Sequence, residues 1–276
     1  MKRYLFNFIY LFVLIIILKS FIIDAYYVAS DSMQKTLLRG DFIIGLKFYY
    51  RLKSPSNIPF TNISIPSINL FNFSKPKHND IIIFKLNEYL INENYTNYEF
   101  IKRIVGLPGE TIQIKDYKLF INNKEKENYF WIDGTPRKFD KLKIFNPTTN
   151  PFSYLNYGPI KIPSKGDSIE LNPQNIKFWQ PFINFEQGGK FLSTEGTVIT
   201  LKGIPIRNYK FNYDYYFVVG DNINNSLDSR ILGFIPENVI EAKIALIYFS
   251  IESEPKQLSF NFIDKIRFSR LLKKLN

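Results

Sequence analysis

The N-terminal part of the chain is one long apolar run. Residues 4–23 of "MKRYLFNFIYLFVLIIILKSFIID" contain a single charge, Lys19. Twenty residues rise about 30 Å as a helix, which matches the hydrocarbon core of a bilayer. The pattern predicts a transmembrane anchor, and Lys19 lies near enough to one end to reach the headgroups.

A cleaved signal peptide is the alternative for this segment. Such a peptide has a shorter apolar stretch and small residues at its cleavage point, whereas "DAYY" follows here at 24–27. An uncleaved anchor is therefore favoured. Lys2 and Arg3 precede the run, and the positive-inside tendency then predicts a cytoplasmic N-terminus with the remaining chain across the membrane.

After the anchor, the apolar segments are rich in β-branched and aromatic residues and are bounded by turn residues, which predicts strands. These segments are residues 40–50 ("GDFIIGLKFYY"), 80–86 ("DIIIFKL"), 98–109 ("YEFIKRIVGLPG"), 215–222 ("YYFVVGDN") and 239–250 ("VIEAKIALIYFS"). Residues 110–123 alternate and turn at Lys115-Asp116, which predicts a hairpin. The chain beyond the anchor is therefore predicted to be mainly β.

Two irregular stretches interrupt the strands. Residues 52–78 hold four prolines among many Ser and Asn, which predicts a long surface loop. Its apolar side chains are candidates for contact with the membrane: Phe60, Leu70, Phe71 and Phe73. Residues 124–205 carry short strand-like pieces among Pro, Asn and Lys, and predict an inserted second β subdomain.

The resulting organisation has a split main domain. Its two parts are predicted at 25–123 and 206–255, after an anchor at 1–24 and around the insertion at 124–205. Residues 256–276 form a basic tail, in which "FIDKIRFSRLLKKLN" has the pattern of an amphipathic helix. Such a helix would dock on an anionic membrane face or cap the domain.

Composition narrows the possible chemistry. The net charge of +11 is consistent with binding to nucleic acid, to an anionic membrane or to an acidic substrate. A solvated lysine-rich surface without such a partner gives the same charge. The aromatic share of 17 % fits a β-rich core or a surface on lipid. The chain has no cysteine and one histidine, His78, so thiol catalysis, disulfides and zinc sites with several imidazoles are excluded. His78 stands just before a strand, where a lone histidine is usually a solvated turn residue.

A lysine within a predicted strand is the candidate base. In "EFIKRIV" a period of two places Lys102 between Phe100 and Ile104 on one face, while Arg103 points to the other. An amine among large apolar groups loses hydration, which lowers its pKa. A lysine that snorkels from a strand edge gives the same pattern and is the simpler interpretation of this strand alone.

Two polar segments offer partners for such a base. Ser30 and Ser32 stand in "ASDSM" at 29–33, directly after the anchor, where a simple turn has the same composition. In "GDNINNSLDSR" at 220–230, Asp228 and Arg230 are spaced to pair across a tight loop, and Ser226 could accept a hydrogen bond from an amine. A polar loop without chemistry is the alternative there.

Taken together, four segments resemble the type I signal peptidases. They follow the anchor in the family's order, and are "SDSM" at 30–33, "GD" at 40–41, "KRIVGLPGE" at 102–110 and "GDNINNSLDSR" at 220–230. The resemblance runs to about residue 250 and implies a mostly antiparallel β catalytic domain. The chain departs from the family pattern at five positions: Ala29 and Lys35 replace prolines, Ile223 and Asn224 replace an Arg-Asp pair, and Glu110 replaces Asp.

The resemblance also implies roles for individual residues. Ser32 would be the nucleophile and Lys102 its general base, while the Ser30 hydroxyl and the Ser32 N–H would form the oxyanion hole. Ser226 would hold the amine. Asp228 and Arg230 would brace that loop. Shallow pockets for small substrate residues would be lined by Tyr26, Val28, Leu37, Phe100 and Ile101.

The implied function is removal of signal peptides by a membrane-anchored serine endopeptidase, without a metal or a cofactor. Its partners would be preproteins and the lipid bilayer, in a bacterial cytoplasmic membrane crossed once. The charge is scattered, so no nucleic acid is expected. One alternative is the Ser-Lys self-cleaving repressor, which needs a DNA-binding module where this chain has an anchor. Another is a catalytically inactive, membrane-tethered peptide-binding protein of the same fold.

Overall fold

The computed structural model describes residues 2–54, 63, 68–91, 96, 98–126, 142–148, 150–253 and 262–275. Phe60 lies outside these residues. The helices are α1 Lys2–Ile17, α2 Ile176–Gln187 and α3 Ser229–Leu232. The strands are β1 Ile23–Tyr27, β2 Asp41–Leu46, β3 Arg51–Lys53, β4 Asn69–Asn72, β5 Ile81–Lys85, β6 Glu99–Gly106, β7 Thr111–Lys115, β8 Lys118–Ile121, β9 Lys124–Lys126, β10 Tyr157–Lys161, β11 Ser168–Glu170, β12 Leu192–Glu195, β13 Val198–Leu201, β14 Ile204–Pro205, β15 Asn208–Lys210, β16 Tyr215–Val219, β17 Ile235–Pro236, β18 Ile240–Ser250 and β19 Lys273–Lys274.

The chain divides into two compact units. Unit 1 comprises residues 1–30, 37–76 and 242–276, and unit 2 comprises 31–36 and 77–241. Strands within each unit pair antiparallel, which confirms the predicted mainly β, antiparallel fold. The predicted domain boundaries at 25, 124 and 206 stay predictions.

Unit 1 begins with the apolar helix. A stretch of 20 residues, Arg3–Ile22, is long and apolar enough to cross a membrane, with a mean hydropathy of 2.4. Helix α1 covers most of it, and Leu18–Ile22 continues as a π-helical turn. Strand β1 follows at once and pairs with β2, which pairs with β18. The apolar helix therefore leads directly into the sheet of this unit.

Residues 52–78 are not a loop throughout. Strand β4 pairs with β3 across the stretch that was predicted to be irregular. That prediction was wrong for β4, because Asn69, Phe71 and Asn72 pair with the backbone of β3 although none of the β4 side chains is buried. Leu70, Phe71 and Phe73 are all exposed, as the predicted membrane contact requires.

The basic tail is not a helix in its described part, 262–275. It forms 3₁₀ turns at Ile263–Lys265 and Phe268–Arg270 and then β19, which pairs with β18. The helix prediction was wrong because Arg270 is drawn into a buried ion pair with Asp41, which is fully buried. That tertiary contact outweighs the helical periodicity of a short segment.

Unit 2 holds the strands that carry the candidate chemistry. Strand β6 lies between β5 and β16, and β17 pairs with β16. A second sheet has the order β10-β7-β8-β9. The predicted hairpin is present as β7 and β8, and its turn lies at Asp116 and Tyr117, both with positive φ (49° and 65°). Two consecutive residues with positive φ form the tight hairpin turn that matches the twist of the strands.

The stretch 124–205 contains a helix as well as short strands. Helix α2 was not predicted, and it encloses Pro181. Its apolar face packs into a buried cluster that is rich in rings. Within the cluster, Phe145 meets Trp179, Phe182 and Phe234 at centroid distances of 6.0, 5.6 and 5.3 Å. Aromatic side chains thus make up a large part of this buried cluster of unit 2.

Candidate active site

The lysine of the candidate site points into the interior of unit 2. On β6, burial alternates from Phe100 to Ile104, so that Lys102 is buried between the two and only 4 % exposed. Phe100 also stacks on Phe84 of the neighbouring strand, with centroids 5.4 Å apart. The strand period therefore places the amine in apolar surroundings, as the alternation predicted.

A tight turn presents the candidate nucleophile. In residues 31–36 the Gln34 N–H donates to the Asp31 carbonyl at 3.0 Å and the Thr36 N–H donates to the Met33 carbonyl at 3.1 Å. The carbonyl of Ser32 accepts from the N–H of Asn222 at 3.0 Å. These bonds fix the backbone on both sides of Ser32, which is 6 % exposed.

Lys35 departs from the family's proline, and its backbone accounts for the difference. Its φ is 95°, whereas the proline ring fixes φ near −65°. The turn after Ser32 is therefore one that proline cannot adopt. The hydrogen bonds of the turn restrict its backbone, as a proline ring does in the family pattern.

The serine and the lysine meet directly. The Lys102 Nζ lies 2.9 Å from the Ser32 Oγ, and the two residues are 70 positions apart in the chain. The amine also donates to the carbonyl of Ile101 at 2.9 Å. The amine is held in one place, with a hydroxyl within reach for proton transfer.

The surroundings change the acidity of this amine. Burial lowers the pKa of Lys102 from 10.5 to about 8, because desolvation disfavours the ammonium form. The carboxylates of Asp228 and Asp221 act in the opposite direction and offset part of the effect. An amine with this pKa is partly neutral near neutral pH, which a proton acceptor requires.

Asp228 and Arg230 form the ion pair that their spacing suggested. Arg230 Nε donates to Asp228 Oδ1 at 2.9 Å and Arg230 Nη2 donates to Asp228 Oδ2 at 2.8 Å. Both side chains are fully buried. Asp228 also caps the short helix α3 by accepting from the Arg230 N–H, and it accepts from the Gly220 N–H at 3.2 Å. The contacts of Asp228 therefore join Gly220, the first residue of the loop 220–230, to Arg230, its last.

Ser226 lies in this loop without the predicted hydrogen bond to the amine. Its hydroxyl is buried and has no hydrogen-bond partner among the described residues, because the Lys102 amine is directed at Ser32 and at the Ile101 carbonyl. The position of Ser226 is nevertheless set by close packing. A Cβ at Gly220 would stand 2.3 Å from the Ser226 Oγ and 2.5 Å from the Ser32 carbonyl oxygen.

A second ion pair beside the site was missed by the sequence reasoning. Arg103 donates from Nε and Nη2 to the two carboxylate oxygens of Asp221, both at 2.7 Å. Its Nη2 also donates to the Thr36 hydroxyl at 3.1 Å. Arg103 thus connects β6, the turn after β16 and the turn that carries Ser32. The only signal in the sequence was its place next to Lys102 on the opposite face of the strand.

The remaining predicted residues are placed as follows. Ser30 is exposed and belongs to unit 1, as do Tyr26, Val28 and Leu37, which are buried there. Phe100 is buried and Ile101 is partly buried in unit 2. The roles of all six in oxyanion and substrate binding stay predictions.

The single histidine is engaged elsewhere in unit 2. The His78 Nε2 lies 3.0 Å from the Glu110 Oε1, and the other oxygen of Glu110 accepts from the Leu107 N–H at 2.8 Å. Glu110, which stands for the family's Asp, therefore closes the turn after β6. Within the described ranges, no group of three or more His, Asp or Glu side chains is placed to hold a metal ion.

Comparison with known proteins agrees with this arrangement of motifs. The family model described as "Signal peptidase, peptidase S26" matches residues 1–249. A signal peptidase I of Buchnera aphidicola (subsp. Schizaphis graminum) is 32 % identical over an alignment of 257 positions, which covers 89 % of this chain and 74 % of that protein. The signal peptidase I of Haemophilus influenzae is 27 % identical over an alignment of 277 positions, which covers 93 % of this chain and 70 % of that protein.

A solved structure was also matched. A signal peptidase I from Enterococcus faecalis is 22 % identical and covers 62 % of this chain and 98 % of that one, with a TM-score of 0.28. A score this low adds nothing to the assignment, which rests on the sequence matches. The chain belongs to the peptidase S26 family of signal peptidases.

Proposed function

We propose that this chain is a membrane-anchored serine endopeptidase that removes signal peptides from exported preproteins. Ser32 is its nucleophile and Lys102 its general base. The observation that carries the proposal is the 2.9 Å contact between the Lys102 amine and the Ser32 hydroxyl in a buried site where desolvation lowers the lysine pKa to about 8. Membership of the signal peptidase family supports the choice of substrate.

The reaction begins when the neutral amine accepts the Ser32 proton. The Ser32 Oγ then attacks the scissile carbonyl carbon, and the carbonyl oxygen becomes an oxyanion. The Ser30 hydroxyl and the Ser32 N–H stabilise that charge in this proposal. Lys102, now an ammonium, gives its proton to the leaving amine of the mature protein, and an acyl-enzyme remains on Ser32.

Deacylation uses the same two groups in reverse order. Lys102 is neutral again after the leaving amine departs, and it takes a proton from a water molecule that attacks the ester. The tetrahedral intermediate collapses, the Ser32 oxygen takes the proton back, and the signal peptide leaves with a new carboxylate. A lysine that cycles between its two forms must have a pKa near the working pH, and burial provides this.

Substrate selection follows from the shape of the site in this proposal. Signal peptides end in small residues at the first and third positions before the cut. Tyr26, Val28, Leu37, Phe100 and Ile101 would line pockets too shallow for larger side chains. An extended substrate adds by main-chain hydrogen bonds beside the first part of β6, residues 99–102, which pair with β5, whereas the β16 register begins at Arg103.

Cleavage of a preprotein tests the proposal. The full-length chain, solubilised in detergent, is incubated with a preprotein that carries Ala-x-Ala before its cut. We expect cleavage at that point by the wild type and none by Ser32→Ala. The matched control is Ser193→Ala, an exposed serine of unit 2 on β12, which should cleave like the wild type.

Three further measurements separate the lysine mechanism from a histidine mechanism and from an inactive peptide-binding protein. Lys102→Arg should be inactive, because a guanidinium does not lose its proton in proteins. His78→Ala should cleave normally, because that ring is paired with Glu110. A wild-type chain that binds the preprotein without cutting it would be an inactive binder, and full activity of Ser32→Ala would end the proposal.

A further inference from the structure

We propose that Tyr154, from the inserted stretch 124–205, is a positioning residue for the Ser32–Lys102 pair. It acts through the loop 220–230, with which it makes its hydrogen bonds. The inference rests on the proposed function and adds to it a role for the insertion.

The contacts of Tyr154 reach two members of the loop. Its hydroxyl donates to the Ser226 carbonyl at 2.6 Å and accepts from the Arg230 Nη2 at 3.0 Å. The Arg230 guanidinium lies 3.8 Å from the centre of the tyrosine ring, and its Nη1 donates to the Tyr154 carbonyl at 3.3 Å. Tyr154 is 4 % exposed. The Tyr154 hydroxyl therefore accepts a hydrogen bond from the buried guanidinium of Arg230 and also holds the backbone at Ser226.

The insertion attaches to the loop a second time. The Phe145 N–H donates to the Arg230 carbonyl at 2.9 Å. Phe145 and Tyr154 lie nine positions apart, and both lie outside the segments that carry the family motifs. The insertion thus clamps Arg230 from its side chain and from its backbone.

The loop in turn sets the position of Ser32. Ser226, Gly220 and the Ser32 carbonyl are in close contact, because a single methyl group at Gly220 would overlap both neighbours. Asn222 of the same loop donates to that carbonyl at 3.0 Å. A shift of Ser226 is therefore passed on to the backbone of Ser32, and small displacements of a reacting group cost much of the rate.

Removal of one hydroxyl tests this chain of contacts. Tyr154→Phe keeps the ring over Arg230 and loses both hydrogen bonds. The matched control is Tyr157→Phe, since Tyr157 is fully buried in the same stretch and its hydroxyl has no hydrogen-bond partner among the described residues. Both variants are made in the full chain, and kcat and KM are measured with the preprotein. Turnover is normalised to the folded fraction, read by near-ultraviolet circular dichroism.

We expect Tyr154→Phe to lower kcat about tenfold with KM changed less than about twofold, because the lost interaction positions the reacting groups and does not bind substrate. Tyr157→Phe should match the wild type. Unchanged kcat in Tyr154→Phe, or an equal loss in the two variants, would overturn the role of Tyr154. Activity in a parallel Ser32→Ala sample would instead refute the proposed function itself, so the two failures are distinguishable.

Discussion

The buried amine of Lys102, the proposed general base, lowers the stability of the fold. In the unfolded chain it is hydrated and has its ordinary pKa of 10.5, whereas in the folded protein desolvation lowers that pKa to about 8. Below pH 8 both states hold the proton, and the folded state bears the full cost of a buried ammonium. Between pH 8 and 10.5 the unfolded state binds more protons, so stability rises with pH.

Lys102→Met should therefore stabilise the fold and abolish cleavage. Methionine has a similar length and no charge to desolvate. The difference in lysine pKa corresponds to on the order of 3 kcal/mol at neutral pH, at 1.36 kcal/mol per unit. Urea unfolding at pH 7 and at pH 10 measures it, and the advantage of the variant should shrink at the higher pH.

Lys115→Met is the control for this measurement, because Lys115 is exposed at the end of β7. Its effect on the free energy of unfolding should be small and the same at both pH values. If Lys102→Met were less stable than the wild type at pH 7, the amine would be better solvated than its 4 % exposure implies.

At this scale the sequence predicted that Lys102 is buried, and it missed the side chains that hold the candidate site in place. The period of two in β6 was sufficient to predict that Lys102 is buried, because it shares a face of the strand with the large apolar side chains of Phe100 and Ile104. Tyr154 was missed because the residues around it show no period, and its partners are more than 70 positions away. Side-chain hydrogen bonds between distant segments leave no trace in local pattern.

Strand β16 and the turn after it act as one element of the site. Gly220 follows the last strand residue, and the turn brings Asp221 to Arg103 and Asn222 to Ser32. The packing at Gly220 leaves no room for a side chain. A glycine is required there by close approach of two backbones.

Gly220→Ala should lower cleavage at least about a hundredfold while the protein remains folded, because Ser32 or Ser226 must move and misplacement by about 1 Å costs that much. The measurement is kcat/KM with the preprotein, beside thermal unfolding. Gly196→Ala is the control: its Cβ would meet nothing within 4 Å in the turn between β12 and β13, so that its φ of 59° should lower thermal stability through backbone strain and leave kcat/KM unchanged. Wild-type activity in Gly220→Ala would show that the turn does not position Ser32.

Elements were predictable where one local signal dominated. The strands β5, β6 and β16 and the β7–β8 hairpin carry both β-branched runs and turn residues, and all were predicted. Helix α2 was missed because Pro181 inside a segment normally argues against a helix. The C-terminal tail was predicted to be a helix because its sequence has helical periodicity. The ion pair of Arg270 with Asp41 holds it in another conformation.

On the scale of the whole molecule, the apolar N-terminal helix determines where the proposed chemistry takes place. Arg3–Ile22 is sufficient to cross a bilayer once. With Lys2 and Arg3 on the cytoplasmic side, residues after the anchor lie outside the cytoplasm in the proposed topology. That is the side on which exported preproteins emerge.

Protease protection tests this topology. In intact bacterial spheroplasts that express the chain, externally added protease should digest unit 2 and leave a short N-terminal fragment. Permeabilised spheroplasts and a cytoplasmic marker protein serve as controls. Protection of unit 2 until the membrane is broken would reverse the proposed orientation.

The dependence of kcat/KM on pH is the most direct measurement of the central claim, that a buried neutral lysine activates Ser32. Between pH 6 and 10, with a preprotein substrate, the rate should rise with pH and reach half of its maximum near the lysine pKa of about 8. At pH 6 roughly one molecule in a hundred would carry the neutral amine. A flat profile over this range, or a midpoint near the value of free lysine, would contradict the account.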